Sequence, residues 1–421
     1  MTAPILPRSF SLRSSDCISK LSPLPPPLRL GPPRRYITRR AALNPTPQSL
    51  GISKAATSTS FASPIRQFAF NTRTQFTTQT APRNYTTMSA PALPATMRAV
   101  KIPRTGGVEV LELRNDVPLP TPAAGQLLVK TTFAGVNFID TYQRTGLYPS
   151  PASGILGQET EGTVVAVSAE GETHGFKIGD RIAAFTSTGG GYAEYVAVAA
   201  KGSFKLPAGI EEGIGAASLL QGLTALTMIR ESHPVKKGET ILVQAAAGGV
   251  GLWLCQLLHA VGAKVIATAS TAEKLELAKE NGADELINYK TQDFEAEVKR
   301  ITNGAGVAAV FDGVGAATFE GSFASVARKG TMVTFGNASG VVPPFTLARL
   351  GAKNIKIIRP RLGAYVETRE EFETYARELF GFIEEGKVKV KVHGRYKIED
   401  VAKATEELEG RKSVGKLLLT L

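Results

Sequence analysis

The stretch Thr240-Ile241-Leu242-Val243-Gln244-Ala245-Ala246-Ala247-Gly248-Gly249-Val250-Gly251 decides the fold. Thr240 to Gln244 reads as a buried strand, the small residues after it as a tight turn, and the chain from there through His259 as a helix. A strand, a small-residue turn and a helix N-terminus together hold a pyrophosphate. The small residues let the backbone approach the phosphates, and the free helix N–H groups and dipole favour the anion. One departure stands out: the first glycine of the usual G-x-G-x-x-G is Ala246.

Downstream of this unit the pattern keeps alternating. Lys264 to Ala269 reads as the next strand and Ala272 to Asn281 as the next helix, with further strands at Val307 to Asp312 and Gly330 to Phe335. Apolar strands alternating with helices predict an α/β doubly wound parallel sheet, a Rossmann domain. Upstream the texture is different. Met97 to Ile102, Gln126 to Thr132, Val164 to Val167, Arg181 to Phe185 and Tyr192 to Val198 are short strand-like runs separated by Gly and Pro, which predicts a small β-barrel domain. An amphipathic helix at Arg369 to Glu385, then two strands and a helix, close the chain. The expected division is residues 1–96 as a targeting segment, 97–222 as the β domain, 223–358 as the Rossmann domain, and 359–421 returning to the β domain.

Of the 49 basic and 37 acidic residues, twelve basic and one acidic (Asp16) fall in residues 1–97. The net charge of +12 therefore belongs to the N-terminal segment, and residues 98–421 are near neutral. That segment also holds 14 of the 25 prolines, which oppose helix and strand, and is rich in Ser and Thr. Arg-rich, Ser-rich, acid-poor composition is that of an organelle transit peptide, so mitochondrial targeting is expected, with Met88 as an alternative start giving a cytoplasmic form. No apolar run is long enough for a transmembrane helix. The two cysteines, Cys17 and Cys255, rule out a disulfide within the body and a four-cysteine zinc lobe.

The second strand predicts the cofactor. An NAD site places an acid there to bind the ribose 2′-hydroxyl. Here the strand runs out through Ala267-Thr268-Ala269-Ser270-Thr271 with no acid, and Lys274 follows. A hydroxyl and an ammonium suit a 2′-phosphate, so NADPH is expected over NADH, with Tyr289 closing the adenine side.

Ala245 to Gly251, Asn137-Phe138-Ile139-Asp140-Thr141-Tyr142, Gly146-Leu147-Tyr148-Pro149, Phe335-Gly336-Asn337-Ala338-Ser339-Gly340 and Arg359-Pro360 together resemble the quinone oxidoreductase (zeta-crystallin-like) branch of the zinc-independent medium-chain dehydrogenase/reductase superfamily. Lys177-Ile178-Gly179-Asp180-Arg181 likewise resembles a strand-opening turn of its GroES-like domain. The resemblance spans residues 97–421 and implies a split GroES-like catalytic domain, a central Rossmann domain and a homodimer. It also implies site residues. Asn137, Phe138, Ile139, Asp140 and Tyr142 would line the nicotinamide and phosphate side, and Thr224 would face the cofactor. Gly248, Gly249 and Val250 would hold the pyrophosphate, and Ser270, Lys274 and Tyr289 the adenosine phosphate end. Phe335, Gly336, Ser339 and Arg359 would enclose the nicotinamide half. Asp312-Gly313-Val314-Gly315 departs from the Asp-Ser or Asp-Asn often seen there, which removes a side-chain contact at position 313.

Zinc alcohol dehydrogenases carry Cys-Gly-x-Cys-His-x-Asp and Gly-His-Glu. The aligned stretches here are Ala134 to Asp140 and Gly157-Gln158-Glu159, with Ala134 and Gln158 read in the ligand positions, so no metal is expected. A quinone needs no Lewis acid, because its carbonyls are conjugated and reduction restores aromaticity. The protein has to bind NADPH, place the quinone beside it and offer hydrogen bonds to the developing oxyanion. Asn137 and Tyr148 are the candidate catalytic residues. His174, His233, His259 and His393 are scattered and form no catalytic cluster. Two other readings remain. One is an NADPH-dependent enoyl or alkenal reductase of the same superfamily. The other is a crystallin-like RNA-binding protein, for which Lys387-Val388-Lys389-Val390-Lys391 is the basic run.

Overall fold

The computed structural model describes residues 93–421; the expected targeting segment up to residue 92, and Met88 within it, lie outside the described residues. The described chain begins with the antiparallel pair β1 (Thr96–Lys101) and β2 (Glu112–Pro118), then β3 (Gln126–Val136), α1 (Phe138–Arg144), β4 (Glu159–Val167), β5 (Arg181–Phe185), β6 (Tyr195–Ala199), β7 (Ser203–Lys205) and α2 (Ile214–Thr227). An alternation follows, ending in two strands with no α-helix between them: β8 (Thr240–Val243), α3 (Gly249–Val261), β9 (Lys264–Ala269), α4 (Ala272–Glu280), β10 (Glu285–Asn288), α5 (Phe294–Ile301), β11 (Val307–Asp312), α6 (Phe319–Ser325), β12 (Val326–Thr334) and β13 (Lys356–Ile358). The chain closes with α7 (Leu362–Tyr365), α8 (Arg369–Glu384), β14 (Val392–Lys397), α9 (Val401–Glu409) and β15 (Lys416–Thr420).

The alternating half forms an all-parallel sheet in the order β10-β9-β8-β11-β12-β13. Strand order reverses between β8 and β11, which leaves a crevice at their carboxyl ends. Both sheet faces are covered, as parallel strands require. Ile241 and Val243 pack with Leu223 and Trp253 on one face, and Leu242 and Ile266 with Phe319 on the other.

The other sheet is mostly antiparallel, in the order β14-β15-β3-β4-β5-β7, with β6 also pairing β3. Its first two strands come from the end of the chain: β15 pairs antiparallel with β3, and β14 lies parallel to β15 across α9. The expected division between residues 222 and 223 falls inside α2, which packs on both sheets and on α3. β3 runs on to Val136, β4 starts at Glu159 and β12 at Val326, beyond the bounds read from sequence, and one strand is placed differently. Tyr192 and Ala193 do not belong to β6; the Val100 N–H bonds Tyr192 and Ala193 bridges Ala99, so the chain first borders β1 and only then turns onto β3.

One charged contact binds these parts. Lys416, at the start of β15, donates to the Glu159 carboxylate and, at 2.7 Å, to the Asn137 side-chain oxygen. The second Glu159 oxygen accepts the Leu220 N–H of α2 at 2.8 Å. Lys416 and Glu159 are 1% and 0% exposed by side chain. Burial pushes the Lys416 ammonium below its ordinary range, and the Glu159 charge opposes that. Two charges so placed hold together only as a pair. Lys416→Met should therefore cost about 3–5 kcal/mol in urea unfolding at neutral pH, because it strands the Glu159 charge. Adding Glu159→Gln should recover most of the loss. A single variant within about 1 kcal/mol of the native protein would show that the pair is not structural.

Candidate active site

A cleft of about 980 Å³ opens at the carboxyl ends of β8 and β11 and is closed from the other side by α1, α2 and the loop before β15. At its floor lies the N-terminus of α3. The N-cap is Gly248, which has no side chain to cap with, so the first-turn N–H groups are left for a ligand. Gly251 is required for the helix to sit so close to β8: a Cβ there would lie 2.5 Å from the Ala245 carbonyl oxygen and 2.6 Å from that of Ala246. Ala245 takes the left-handed conformation at φ 52°, which makes the turn sharp.

The walls carry one sign of charge. Lys274, Arg359, Arg361 and Arg411 line the cleft, and no Asp or Glu does. Such a concavity attracts a polyanion. Of the sequence-predicted residues, Asn137, Phe138, Ile139, Tyr142, Tyr148, Thr224, Gly248, Gly249, Val250, Ser270, Lys274, Tyr289, Phe335, Gly336 and Arg359 all line it. Ser270, Lys274 and Tyr289 share their wall with Arg411 and Ser413, which the sequence reading missed. Arg411 lies far away in sequence, on the turn after α9, yet its carbonyl accepts the Lys274 ammonium at 2.6 Å. Its one sequence signal was the basic turn Gly410-Arg411-Lys412. Ser270, Lys274, Tyr289 and Arg411, set opposite the open helix N-terminus, fit a dinucleotide with an added phosphate.

Two expected cofactor residues do not line the cleft. Asp140 is 4% exposed and turned inward. Its carboxylate accepts the Asn137 N–H at 2.8 Å, the Gly157 N–H at 3.2 Å and the Tyr192 hydroxyl at 2.9 Å. Burial pushes its pKa up to about 6 against those hydrogen bonds. It shapes the entry to α1 and does not face the cofactor. Ser339 donates to the Val314 carbonyl at 2.8 Å and accepts the Ala317 N–H at 3.0 Å, which ties one loop to another. Asp312 anchors the same loops by accepting from Val314, Gly315, Thr318 and Ser322. Gly313 leaves room for the Phe335 ring; a Cβ there would lie 2.8 Å from it.

Asn137 lines the cleft, but its amide is fully used: the nitrogen donates to Glu159 at 2.8 Å and to the Gly135 carbonyl at 3.2 Å, and the oxygen takes Lys416. With no N–H left it cannot donate to an oxyanion, and the expectation that it is catalytic gives way to one that it positions α1. The zinc comparison shifts with it. Ala134 is fully buried within β3 and does not reach the cleft, whereas Asn137 and Gln158 do. The side chains in the ligand positions are therefore two amides. Among the described residues no group of three His, Cys, Asp or Glu converges to hold a metal.

The free donor is Tyr142. Its hydroxyl accepts the Asn337 N–H at 2.9 Å, and its own proton has no acceptor among the described residues. Burial raises its pKa, so it stays protonated. The Tyr148 ring packs edge-on against it at 5.3 Å. The Tyr148 hydroxyl accepts from Arg359 at 2.8 Å and donates to the Asn337 side-chain oxygen at 3.2 Å. With its proton used, Tyr148 closes the cleft wall as part of a clamp with Asn337 and Arg359, and the expectation that it is catalytic gives way to a positioning role.

The two sheets and the cleft between them define a medium-chain dehydrogenase/reductase. The family described as alcohol dehydrogenase GroES-like domain matches residues 123–208, and that described as zinc-binding dehydrogenase matches residues 249–381. The chain is 42% identical over 316 residues to a probable quinone oxidoreductase of Schizosaccharomyces pombe, covering 75% of this chain and 94% of that one. The structure of Escherichia coli quinone oxidoreductase complexed with NADPH superposes with a TM-score of 0.74 at 39% identity, covering 78% of this chain and 100% of the other. A mycobacterial protein complexed with NADPH gives a TM-score of 0.74 at 42% identity, covering 77% and 100%. The chain belongs to the quinone oxidoreductase branch of the medium-chain dehydrogenase/reductase superfamily.

Lys274→Ala and Arg411→Ala should each weaken NADPH by about 1–3 kcal/mol, the scale of a charge-assisted hydrogen bond, and leave NADH unchanged. Fluorescence titration of both nucleotides measures this. Equal losses for the two would mean that neither residue reads the 2′-phosphate.

Proposed function

We propose that the protein is an NADPH-dependent quinone oxidoreductase that works without zinc. The observation that carries this is the acid-free cleft, with an open helix N-terminus and a Lys274–Arg411 corner at one end and a free phenol at the other. Bound NADPH supplies the reducing equivalents. Gly249 and Val250 would hold the diphosphate through backbone N–H groups, the Gly248 N–H being taken by the Ala245 carbonyl at 2.9 Å, and Ser270, Lys274, Tyr289 and Arg411 would hold the 2′-phosphate end. Phe335, Gly336 and Thr224 line the same cleft. Tyr142 donates its proton in a hydrogen bond to the acceptor oxygen as negative charge develops there. Tyr148, Asn337 and Arg359 keep that wall in place, and the Lys416–Glu159–Asn137 contact fixes α1 beneath it.

The active species is proposed to be a homodimer. The outer edge of β13 is unpaired among the described residues, and Val341 and Leu347, in the segment between β12 and β13, are 57% and 71% exposed. The basic run is a solvated edge: Val388 is buried, Lys387, Lys389 and Lys391 face out, and Lys387 pairs with Glu385. The N-terminal segment is proposed to direct the chain to mitochondria on the strength of its composition. No helix among the described residues is long and apolar enough to cross a membrane.

Full-length protein, sedimenting as a dimer, should oxidise NADPH at least about tenfold more efficiently than NADH with 1,4-naphthoquinone as acceptor. That activity should survive EDTA. Reduction of a 2-enoyl thioester with none of the quinone would favour the reductase reading. Loss of activity to the chelator would contradict zinc independence, and a monomer alone would contradict the pairing.

Residues 1–90 fused to a fluorescent protein should send it to mitochondria. A diffuse cytosolic signal would sink the targeting proposal.

A further inference from the structure

We propose that Gln143 hydrogen-bonds the second oxygen of the acceptor, so that the cleft is built for a 1,4-quinone and not for a one-carbonyl enone. This rests on the quinone reading above. Gln143 lies on α1 one turn after Ile139, and both line the cleft. Its backbone is fixed, since its carbonyl accepts the Ser150 hydroxyl at 2.8 Å and the Gly146 N–H at 3.3 Å. Its side chain is not. Gln143 is 7% exposed; its amide oxygen is sealed without a partner, whereas its amide nitrogen makes no hydrogen bond among the described residues and is the reachable end of the amide.

A primary amide can make four hydrogen bonds, and a buried one that makes none is costly. Gln244, also at the cleft, shows the ordinary solution: its nitrogen donates to Ser322 at 3.0 Å and its oxygen accepts from Thr268 at 2.6 Å. The reachable amide N–H has no partner in the described residues, and a ligand oxygen in the cleft can supply one. Tyr142 and Gln143 are consecutive on α1, so their side chains leave the helix about 100° apart and address separate points of the cleft. Two donors at separate points suit a ligand with two oxygens. The Gln143 nitrogen is the end of the amide left open, so its N–H can donate to a carbonyl oxygen in the cleft.

The test is Gln143→Leu, which keeps the volume and removes the hydrogen bond. Titration of 1,4-naphthoquinone into the protein–NADP+ complex measures acceptor affinity without turnover, with 1-tetralone, which has one carbonyl, as the comparison. The inference predicts a loss of about tenfold for the quinone, a matching rise in KM with little change in kcat, and unchanged affinity for tetralone and for NADPH. If the amide is only a buried misfit, the leucine variant will melt higher and bind the quinone as tightly as the native protein, which would overturn the inference and leave the quinone reading intact. If the native protein neither binds nor reduces 1,4-naphthoquinone, the quinone reading fails and this inference with it.

Discussion

The buried contact between Lys416 and Glu159 is the constraint on which the site depends. It brings the last strand of the chain against the first sheet, and the loop just before that strand becomes a wall of the cleft. Gly415, one residue earlier, bridges Gly248 at the nucleotide turn, and Arg411 reaches the Lys274 corner. The same carboxylate takes an N–H of α2, and the same ammonium takes Asn137 at the entry to α1. One ion pair therefore sets the positions of the three elements that face the nucleotide turn. The desolvation cost of the two charges is offset only in this geometry, which makes it selective as well as stabilising.

The charge distribution turns that scaffold into an anion site. Carboxylates are close by, but they are turned away from the cleft. Glu159 and Asp140 lie beneath α1 and are spent on Lys416, Tyr192 and backbone N–H groups. The cleft itself keeps four cations and the uncapped end of α3. What remains at the acceptor end is a neutral pair of donors, Tyr142 and Gln143, in a mostly aromatic and aliphatic wall. That arrangement separates binding of a charged cofactor from stabilisation of charge that develops only during reaction.

The parallel sheet was legible because its strands are apolar on both faces and its turn chemistry is local: β9 and β11 begin and end where the sequence pattern places them. The adenosine end was legible for the same reason, since Ser270 and Lys274 follow β9 directly. Arg411 was not, because only the pairing of β15 with β3 carries it there. Asp140, Asn137 and Ser339 mark a different limit. Motif position placed all three at the cleft, but which way a side chain turns depends on partners such as Tyr192, Lys416 and Val314 that are distant in sequence. The free proton of Tyr142 and the unpaired amide of Gln143 are visible only when every neighbour's hydrogen bonds are counted.

A crystal structure of the full-length protein with NADPH and a 1,4-quinone tests the central claim most directly. The account predicts the diphosphate on the backbone N–H groups of Gly249 and Val250, the 2′-phosphate on Lys274 and Arg411, and the quinone against Tyr142. A nucleotide bound away from the α3 N-terminus, or a quinone seated outside the cleft, would contradict it.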